Sequence, residues 1–256
     1  MSRLVRKKRP RFPYSNTIHP GMTTIPGVAS PDAAIFLEAA RDKSEPPGPK
    51  LYFFKNNQYL SWDVIGEKPC ERYPRAIAPD WPGLLESHPD SKLRGALRVS
   101  AWPGKVFFFF SGQTDLVVWD LEHGRVSEDR LAVSDLLPGP FSRQDFTPVY
   151  AQLPEGKEVI YGFKGHDYAR WSIGPGAAAT LDDGFPHKIA DDWKDGLVLA
   201  PKAGVYVEWP SRSSAHSNRK IYFFMGDLYL RWDVPSNTRN YRLDIVAGWP
   251  GWPAFA

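Results

Sequence analysis

An internal repeat constrains the fold of this chain more than any other feature of its sequence. Residues 220–233 read KIYFFMGDLYLRWD, and residues 50–63, far upstream, read KLYFFKNNQYLSWD. Weaker copies lie between them, at residues 105–120 and 159–171. The first aromatic residues of the four copies are separated by 55, 54 and 61 residues, so four units of roughly 55 residues fill nearly all of the chain beyond residue 30.

Each copy has the pattern of a β-hairpin. Aromatic and β-branched residues alternate with a period of two, as in a pleated strand that is buried on one side. Turns are expected at residues 56–57, 165–166 and 226–227, because Asn and Gly accept positive φ. The second copy has two extra residues at its tip, in residues 111–115, where an insertion costs little.

The composition favours an all-β fold. With 25 Pro and 21 Gly in 256 residues, long helices are disfavoured and short strands separated by turns are expected. No apolar run is long enough for a membrane span. Cys70 is the only cysteine, so no disulfide can form within the chain, and this suits a reducing compartment.

The first 29 residues form a basic, Pro-rich leader that we expect to be partly disordered. It carries six positive charges and no acid before residue 12, so the rest of the chain has a formal charge of about −3. Binding of nucleic acid is expected, if at all, only through this arm. The leader lacks the apolar core of a secretory signal, and we therefore expect a cytoplasmic protein without a membrane span.

Short runs of small residues precede each hairpin. Crowding explains them, because strands that converge on a common axis leave little room for side chains. The runs are residues 31–36, 94–97, 147–150 and 202–205. A fourth strand and an aromatic, Pro and Gly signal follow each hairpin, as in the WPG of residues 81–83 and 249–251. The predicted blade boundaries are 30–89, 90–141, 142–197 and 198–256.

Taken together, these motifs resemble the hemopexin-like repeat. The small strand, the KxYxF hairpin with its Tyr and Trp, the Tyr-Pro strand and the WPG signal cover residues 31–256, nearly nine-tenths of the chain. The resemblance implies a four-bladed β-propeller with one four-stranded sheet per blade. The branch it is most similar to is the plant albumin-2 type of seed protein, with its stand-alone microbial relatives. Secreted metalloproteinase domains of this type close the ring with a disulfide, which cannot form here.

Ring closure must therefore depend on apolar packing between the last blade and the first. We expect a clasp formed by Trp249, Trp252 and Phe255 at the end of the chain. Three apolar residues of the leader are candidates for the same cluster, namely Phe12, Tyr14 and Ile18.

The resemblance also implies an ion or ligand site in the central tunnel, lined by backbone carbonyls of the innermost strands. Carried over by position, the lining residues are Asp32, Arg94, Thr147 and Lys202, then Ala34, Ala96, Val149 and Gly204. Asp32 and Thr147 are the predicted metal ligands, and Ca²⁺ is one candidate because hard cations accept carbonyl oxygen. Arg94 and Lys202 stand where the family usually has acids, which favours an anion such as chloride, phosphate or a carboxylate.

Known motifs of catalysis and of other cofactors are absent from the sequence. The sequence has no zinc-type spacing of Cys and His, no phosphate loop and no hydrolase signature. The carboxylate pairs at residues 182–183 and 191–192, and the Ser and His of residues 211–217, are interpreted as loop positions. Haem is not expected, because a single propeller lacks the opposing surface that supplies the ligands in the two-propeller relative. The six histidines are His19, His88, His123, His166, His187 and His216.

Three functions remain open at this stage. The first is a non-enzymatic, lectin-like protein that binds a small molecule or a glycan at the tunnel mouth or blade loops. The second is a protein-interaction or defence scaffold, in which the basic arm adds attraction. The third is an enzyme of secondary metabolism that uses the cavity without a recognisable triad. The fold does not decide among these functions, because many functions share it. Whether the protein forms a homodimer is also left open.

Overall fold

The computed structural model describes residues 30–128, 130–174, 179–193, 196–208, 218–234, 236–249 and 252. The leader therefore lies outside the described residues, as do residues 211–217 and Phe255. The described chain forms four antiparallel sheets arranged as four blades, and its helices are single turns, so the predicted all-β propeller is confirmed. No described helix is long and apolar enough to cross a membrane.

Blades one and two have the same order of elements. Blade one contains β1 (Ala33–Leu37), β2 (Lys50–Lys55), β3 (Gln58–Asp63), β4 (Lys68–Pro69), β5 (Arg75–Ala76) and α1 (Ile77–Asp80). Blade two contains β6 (Leu93–Leu97), β7 (Lys105–Phe110), β8 (Asp115–Asp120), β9 (Arg125–Val126), β10 (Leu131–Ala132) and α2 (Val133–Leu136).

Blades three and four follow the same plan. Blade three contains β11 (Thr147–Gln152), β12 (Glu158–Lys164), β13 (Asp167–Ile173), β14 (Thr180–Leu181), β15 (His187–Lys188) and α3 (Ile189–Asp192). Blade four contains β16 (Ala203–Glu208), β17 (Arg219–Met225), β18 (Leu228–Asp233), β19 (Thr238–Asp244) and α4 (Ile245–Gly248).

The outermost position of the blades differs from the expected single strand. In blades one to three it is divided into two short strands that pair with different parts of the third strand, so these sheets have five strands. Blade four alone keeps one long outer strand, β19, with an irregular register opposite Arg231 and Trp232. The hairpin turns are as predicted, since Asn56, Gly165 and Gly226 have φ of 52°, 56° and 63°.

The innermost strands β1, β6, β11 and β16 stand around one axis, each in contact with the next and the last with the first. Their close approach explains the small residues. A Cβ on Gly95 would lie 2.4 Å from Cδ of Pro148, and one on Gly204 would lie 2.5 Å from Cγ2 of Val149. The predicted crowding at the axis is therefore confirmed.

The register of the third blade differs from the prediction by one residue. Val149 pairs with Tyr161 as Ile35 pairs with Tyr52, so Phe146, and not Thr147, is the equivalent of Asp32. By the same register, Val149 is equivalent to Ile35, which is one position beyond Ala34. At the same place, Gly162 replaces the Phe of the other copies, and a Cβ there would lie 2.8 Å from the ring of Trp171 and 3.0 Å from that of Phe146.

The hydrophobic core lies between the blades. It consists of four clusters, each formed by two neighbouring blades. At three of the joints, the Trp that follows the short helix of one blade packs on the third-strand Trp of the next. These pairs are Trp81 with Trp119, Trp193 with Trp232, and Trp249 with Trp62, at ring-centroid distances of 4.9, 4.9 and 5.0 Å.

The last of these pairs closes the ring, as the clasp hypothesis expected. Trp252 adds a second contact, 4.8 Å from the ring of Phe53 in blade one. A backbone link supports the joint, because the backbone N–H and the hydroxyl of Ser30 both donate to the carbonyl of Gly226 at 2.7 Å. The other proposed members, Phe255, Phe12, Tyr14 and Ile18, lie outside the described residues.

Candidate functional site in the central tunnel

The tunnel has two distinct ends, because its four strands run in the same direction. The residues that begin the strands form the end called here the N-mouth, with Asp32, Arg94, Phe146 and Lys202 at equivalent positions. The residues that end the strands form the C-mouth. Its equivalent positions are Phe36, Arg98, Tyr150 and Tyr206.

Ion pairs fill the N-mouth. The carboxylate of Asp32 lies 3.1 Å from Nζ of Lys202 and 3.7 Å from Nζ of Lys55. Its other oxygen accepts a hydrogen bond from the backbone N–H of Asn56 at 2.9 Å. Asp32 is therefore already neutralised and hydrogen-bonded by the protein itself. Lys202, which the sequence suggested as an anion-binding cation, is engaged in the same cluster.

Arg94 and Thr147 also serve to hold the strands together. Arg94 donates to the carbonyls of Phe146 and Phe110, the latter at 3.2 Å, and pairs with Asp145 at 3.3 Å. Burial lowers the pKa of the Arg94 guanidinium, against the opposing effect of Asp145. The hydroxyl of Thr147 donates to the carbonyl of Pro201 at 2.7 Å. These contacts give each predicted side chain a structural role.

No side-chain metal site accompanies them. Within the described part of the chain, no group of three or more His, Cys, Asp or Glu side chains is placed to hold a metal ion. A cation held by backbone carbonyls does not depend on such a group. Ion binding at the axis therefore stays a prediction.

A cavity of about 200 Å³ opens at the C-mouth. The small residues Ala34, Ala96 and Gly204 form part of its wall, as expected for tunnel-lining positions. None of the other predicted residues lines it: Asp32, Arg94, Thr147, Val149 and Lys202 all lie elsewhere. The space for a ligand is thus at the opposite end of the strands from the predicted ion ligands.

Aromatic rings surround this cavity. Phe36, Tyr150 and Tyr206 come from blades one, three and four, and Arg98 takes the same position in blade two. The rings of Tyr150 and Tyr206 meet edge to face, with centroids 5.5 Å apart and planes at 89°. Sequence reasoning missed this ring of residues, although a signal existed. Three of the four stand two positions after a small tunnel residue, and Tyr150 stands two after Pro148; side chains two apart in a strand point to the same side.

The hydroxyl of Tyr206 is the most unusual polar group of the site. The residue is only 8% exposed, and no described group lies within hydrogen-bonding distance of its hydroxyl. Burial raises its pKa, and the nearby carboxylate of Glu208 adds to the rise. Buried hydroxyls usually have a partner, since leaving one without costs free energy. An ordered water or a bound molecule would give this hydroxyl the partner that the described residues do not supply.

Charged and polar side chains form the rim of the C-mouth. Arg98 pairs with Glu38 at 3.4 Å, and Glu208 lies 3.7 Å from Nε of Arg219. The hydroxyls of Ser100 and Tyr150 are 3.0 Å apart, and burial raises the pKa of Tyr150 to about 12. At neutral pH both tyrosines are therefore neutral and able to donate hydrogen bonds. The C-mouth combines apolar ring faces with such donors and with the acceptors of the rim.

Comparison with known proteins bears on the fold. No protein-family model and no curated protein sequence matches the chain. Solved structures do, at low identity. A hemopexin-fold protein from cow pea is 16% identical with a TM-score of 0.61, over 87% of this chain and 96% of the other.

Two further structures agree with it. A seed albumin from Lathyrus sativus is 18% identical with a TM-score of 0.60, over 89% of this chain and 96% of the other. A plant lectin with two metal-binding sites from Cicer arietinum is 15% identical with a TM-score of 0.60, over 86% and 95%. These likenesses, together with the four blades and the shared tunnel, show that the chain has the hemopexin-type four-bladed β-propeller fold.

Proposed function

We propose that this propeller is a non-enzymatic binding protein that takes a small polar molecule, of about the size of a monosaccharide, in the C-mouth. The observation that carries the proposal is the buried hydroxyl of Tyr206, which has no hydrogen-bond partner among the described residues and belongs to a residue in the wall of a cavity bordered by aromatic rings. The volume of about 200 Å³ lies below the roughly 300–1,000 Å³ of pockets for drug-sized ligands. A small ligand suits this space.

A sugar fits the chemistry of the lining. Pyranose rings present apolar faces to aromatic side chains, and their hydroxyls both donate and accept hydrogen bonds. Phe36 and Tyr150 offer rings, while Arg98 and Glu208 offer charged groups at the rim. One protein with a similar fold is a lectin, which supports testing carbohydrates before other polar molecules.

The test is a glycan array followed by calorimetric titration of the sugars that bind. The variant Tyr206→Phe removes a single hydroxyl, and we expect it to weaken binding by about tenfold, the value of one hydrogen bond. Its stability should be unchanged or higher, because the hydroxyl has no partner to lose. Lys202→Gln at the N-mouth is the control and should bind as the parent chain does.

Two results would reject the site. One is the absence of binding to any sugar or small polar compound tested, and the other is binding that Tyr206→Phe leaves intact while Lys202→Gln removes it. The second result would move the ligand to the N-mouth.

Ion binding on the axis is a second part of the proposal. Ca²⁺ held by carbonyls of the innermost strands would stabilise the folded state by mass action. The melting temperature in Ca²⁺ should then exceed that in EDTA, and Mg²⁺, which keeps its water more firmly, should have less effect. Equal melting temperatures would remove the ion from the proposal.

A further inference from the structure

Two joints between blades contain the same aromatic site on the outer part of the propeller, far from the axis. The first, called here the blade-one box, has Trp81 and Trp119 with ring planes at 54°. The second, the blade-three box, has Trp193 and Trp232 with ring planes at 59°, and both pairs have centroids 4.9 Å apart. The two joints therefore share the same arrangement of indole rings.

The polar side of the two boxes agrees as well. In the blade-one box, the hydroxyl of Tyr59 donates to Asp80 at 2.9 Å, and Arg75 donates to the same carboxylate at 2.6 Å. In the blade-three box, Tyr168 donates to Asp192 at 2.8 Å, and Nδ1 of His187 lies 2.8 Å from the same carboxylate. Strand register makes Tyr59 equivalent to Tyr168 and Arg75 equivalent to His187.

The blade-one box already holds a ligand group from its own chain. The guanidinium of Arg41 lies 3.8 Å from the ring centroid of Trp81 and 5.3 Å from that of Trp119, and it donates to the carbonyl of Asp80. Arg41 belongs to the long connection between β1 and β2, residues 38–49. It covers both indoles, which are 0% exposed and do not line the cavity that Arg41 borders.

The blade-three box lacks such a group among the described residues. Its connection between β11 and β12 is only residues 153–157, closed by a hydrogen bond from the N–H of Leu153 to the carbonyl of Lys157 at 2.8 Å. In the described part of the chain, no Lys or Arg lies over the ring of Trp193. Trp193 and Trp232 are also buried, at 5% and 4% exposed, but both line a cavity of about 410 Å³.

We propose that the blade-three box binds the guanidinium group of a ligand, in the place that Arg41 takes in the blade-one box. Guanidinium stacks well on indole and donates to carboxylate and carbonyl oxygens. The exposed carboxylates of Asp183 and Asp192 line the cavity. Arg170 lines the same cavity, but its guanidinium pairs with Asp182 at 2.5 Å and lies over the ring of Phe185.

The test uses butylguanidinium chloride, with butylurea as an uncharged compound of the same shape, in calorimetric titrations of the full chain. We expect saturable binding of the guanidinium and at least about tenfold weaker binding of the urea, as for a cation–π contact. The conservative variant Asp183→Asn should weaken the binding of butylguanidinium and leave the binding of butylurea unchanged. The imidazole NMR signal of His187, identified by its loss in His187→Gln, should shift during the titration.

The blade-one box supplies a positive control within the same molecule. Arg41→Ala empties that box, so this variant should bind two equivalents where the parent chain binds one, and the probe should raise its melting temperature. If Arg41→Ala gains a site while neither the parent chain nor a variant with the leader arginines and Arg212 replaced by Gln binds at the blade-three box, that box is not a guanidinium site. If the variant does not fold, the parent chain and Asp183→Asn still decide.

The same assay distinguishes two sources of the guanidinium group, an arginine of this chain and an external molecule. Replacing the arginines of the leader and Arg212 by Gln should raise the affinity for butylguanidinium if this chain supplies the group itself. Unchanged affinity points to an external arginine or small guanidinium compound. Failure of both the parent chain and the Gln variant to bind would overturn the proposal, whatever the outcome at the C-mouth.

Discussion

Glycines on the innermost strands set the distance between the blades at the axis. A Cβ on Gly95 would lie 2.4 Å from Cδ of Pro148, closer than real Cβ contacts, and both belong to strands that the rest of the ring holds in place. We predict that Gly95→Ala destabilises the fold by about 1–3 kcal/mol, the usual cost of overpacking. Urea denaturation would measure it.

Gly174 gives a matched control for that substitution. Among the described residues, no atom lies within 4 Å of a Cβ placed there. Gly174→Ala should therefore leave the free energy of unfolding nearly unchanged or raise it slightly. Equal losses in the two variants would show that crowding at the axis is not the cause.

The acid stability of blade one should depend partly on Asp42. The backbone N–H of Ser44 and the side chain of Arg75 both donate to its carboxylate, each at 2.8 Å, and lower its pKa from 3.8 to about 2. A lowered pKa stabilises the folded state above about pH 4, and this contribution is lost as the pH falls towards about 2. The pair is about one-third exposed, so the loss should stay below about 1 kcal/mol.

The comparison is between the parent chain and Asp42→Asn, which keeps an acceptor for Ser44 but cannot titrate. Unfolding free energies measured from pH 5 down to about pH 2 should fall less steeply in the variant. If the unfolding free energies of the two proteins fall in parallel with pH, Asp42 does not contribute to the acid stability.

Closure of the ring depends on the segment around α4. Trp249 packs on Trp62 at 5.0 Å and on Phe53 at 5.4 Å, and so joins the last blade to the first. We predict that Trp249→Ala costs about 3–5 kcal/mol of stability, as expected for a fully buried aromatic residue. Urea denaturation monitored by circular dichroism would measure this loss.

Another joint of this chain suggests a replacement for Trp249 that should cost less stability than Ala. The joint between blades two and three has Leu137 where the other joints have Trp, and this Leu packs in one cluster with Trp171. Trp249→Leu should therefore lose less stability than Trp249→Ala. Trp102→Ala, at a partly exposed ring outside the closing joint, should cost less than either, and an equal or larger loss there would count against the clasp.

Which elements were predictable follows from what the repeat encodes. The hairpins, their turns and the small inner strands were readable because aromatic spacing and turn residues recur in each copy. The exact register of β11 was not, since Phe146 precedes that strand, whereas Gly162, which leaves the space beside its ring, lies in β12. The division of the outer strand into pairs such as β4 and β5 also has no signal in the hairpin pattern.

The site was predictable only in part, for a related reason. The tunnel and its small lining residues Ala34, Ala96 and Gly204 follow from the repeat. Whether Asp32 is free to bind an ion depends on Lys55 and Lys202, which reach it from a neighbouring strand and from another blade. Such pairing between distant segments has no trace in the spacing of either one.

Stability at the scale of the whole propeller should be a property of the closed ring. Each core cluster belongs to two blades, so a blade without a neighbour exposes half of an aromatic joint to water. Cutting the chain between residues 141 and 142 opens two joints at once, the Leu137 joint and the Trp249 joint. We predict that neither half alone shows a cooperative unfolding transition, whereas an equimolar mixture does.

Reassembly depends on the complementarity of the two cut surfaces. One half carries Trp62 and Leu137, and the other carries Trp249 and Trp171, so two joints form together when the halves meet and a single joint would not align the inner strands. Trp249→Ala in the second half should therefore abolish assembly rather than weaken it slightly, while Trp102→Ala in the first half should not. Circular dichroism and analytical ultracentrifugation of the mixtures would show this. A half that folds alone, with native-like exchange protection, would mean that the blades are stable independently and that closure of the ring adds little.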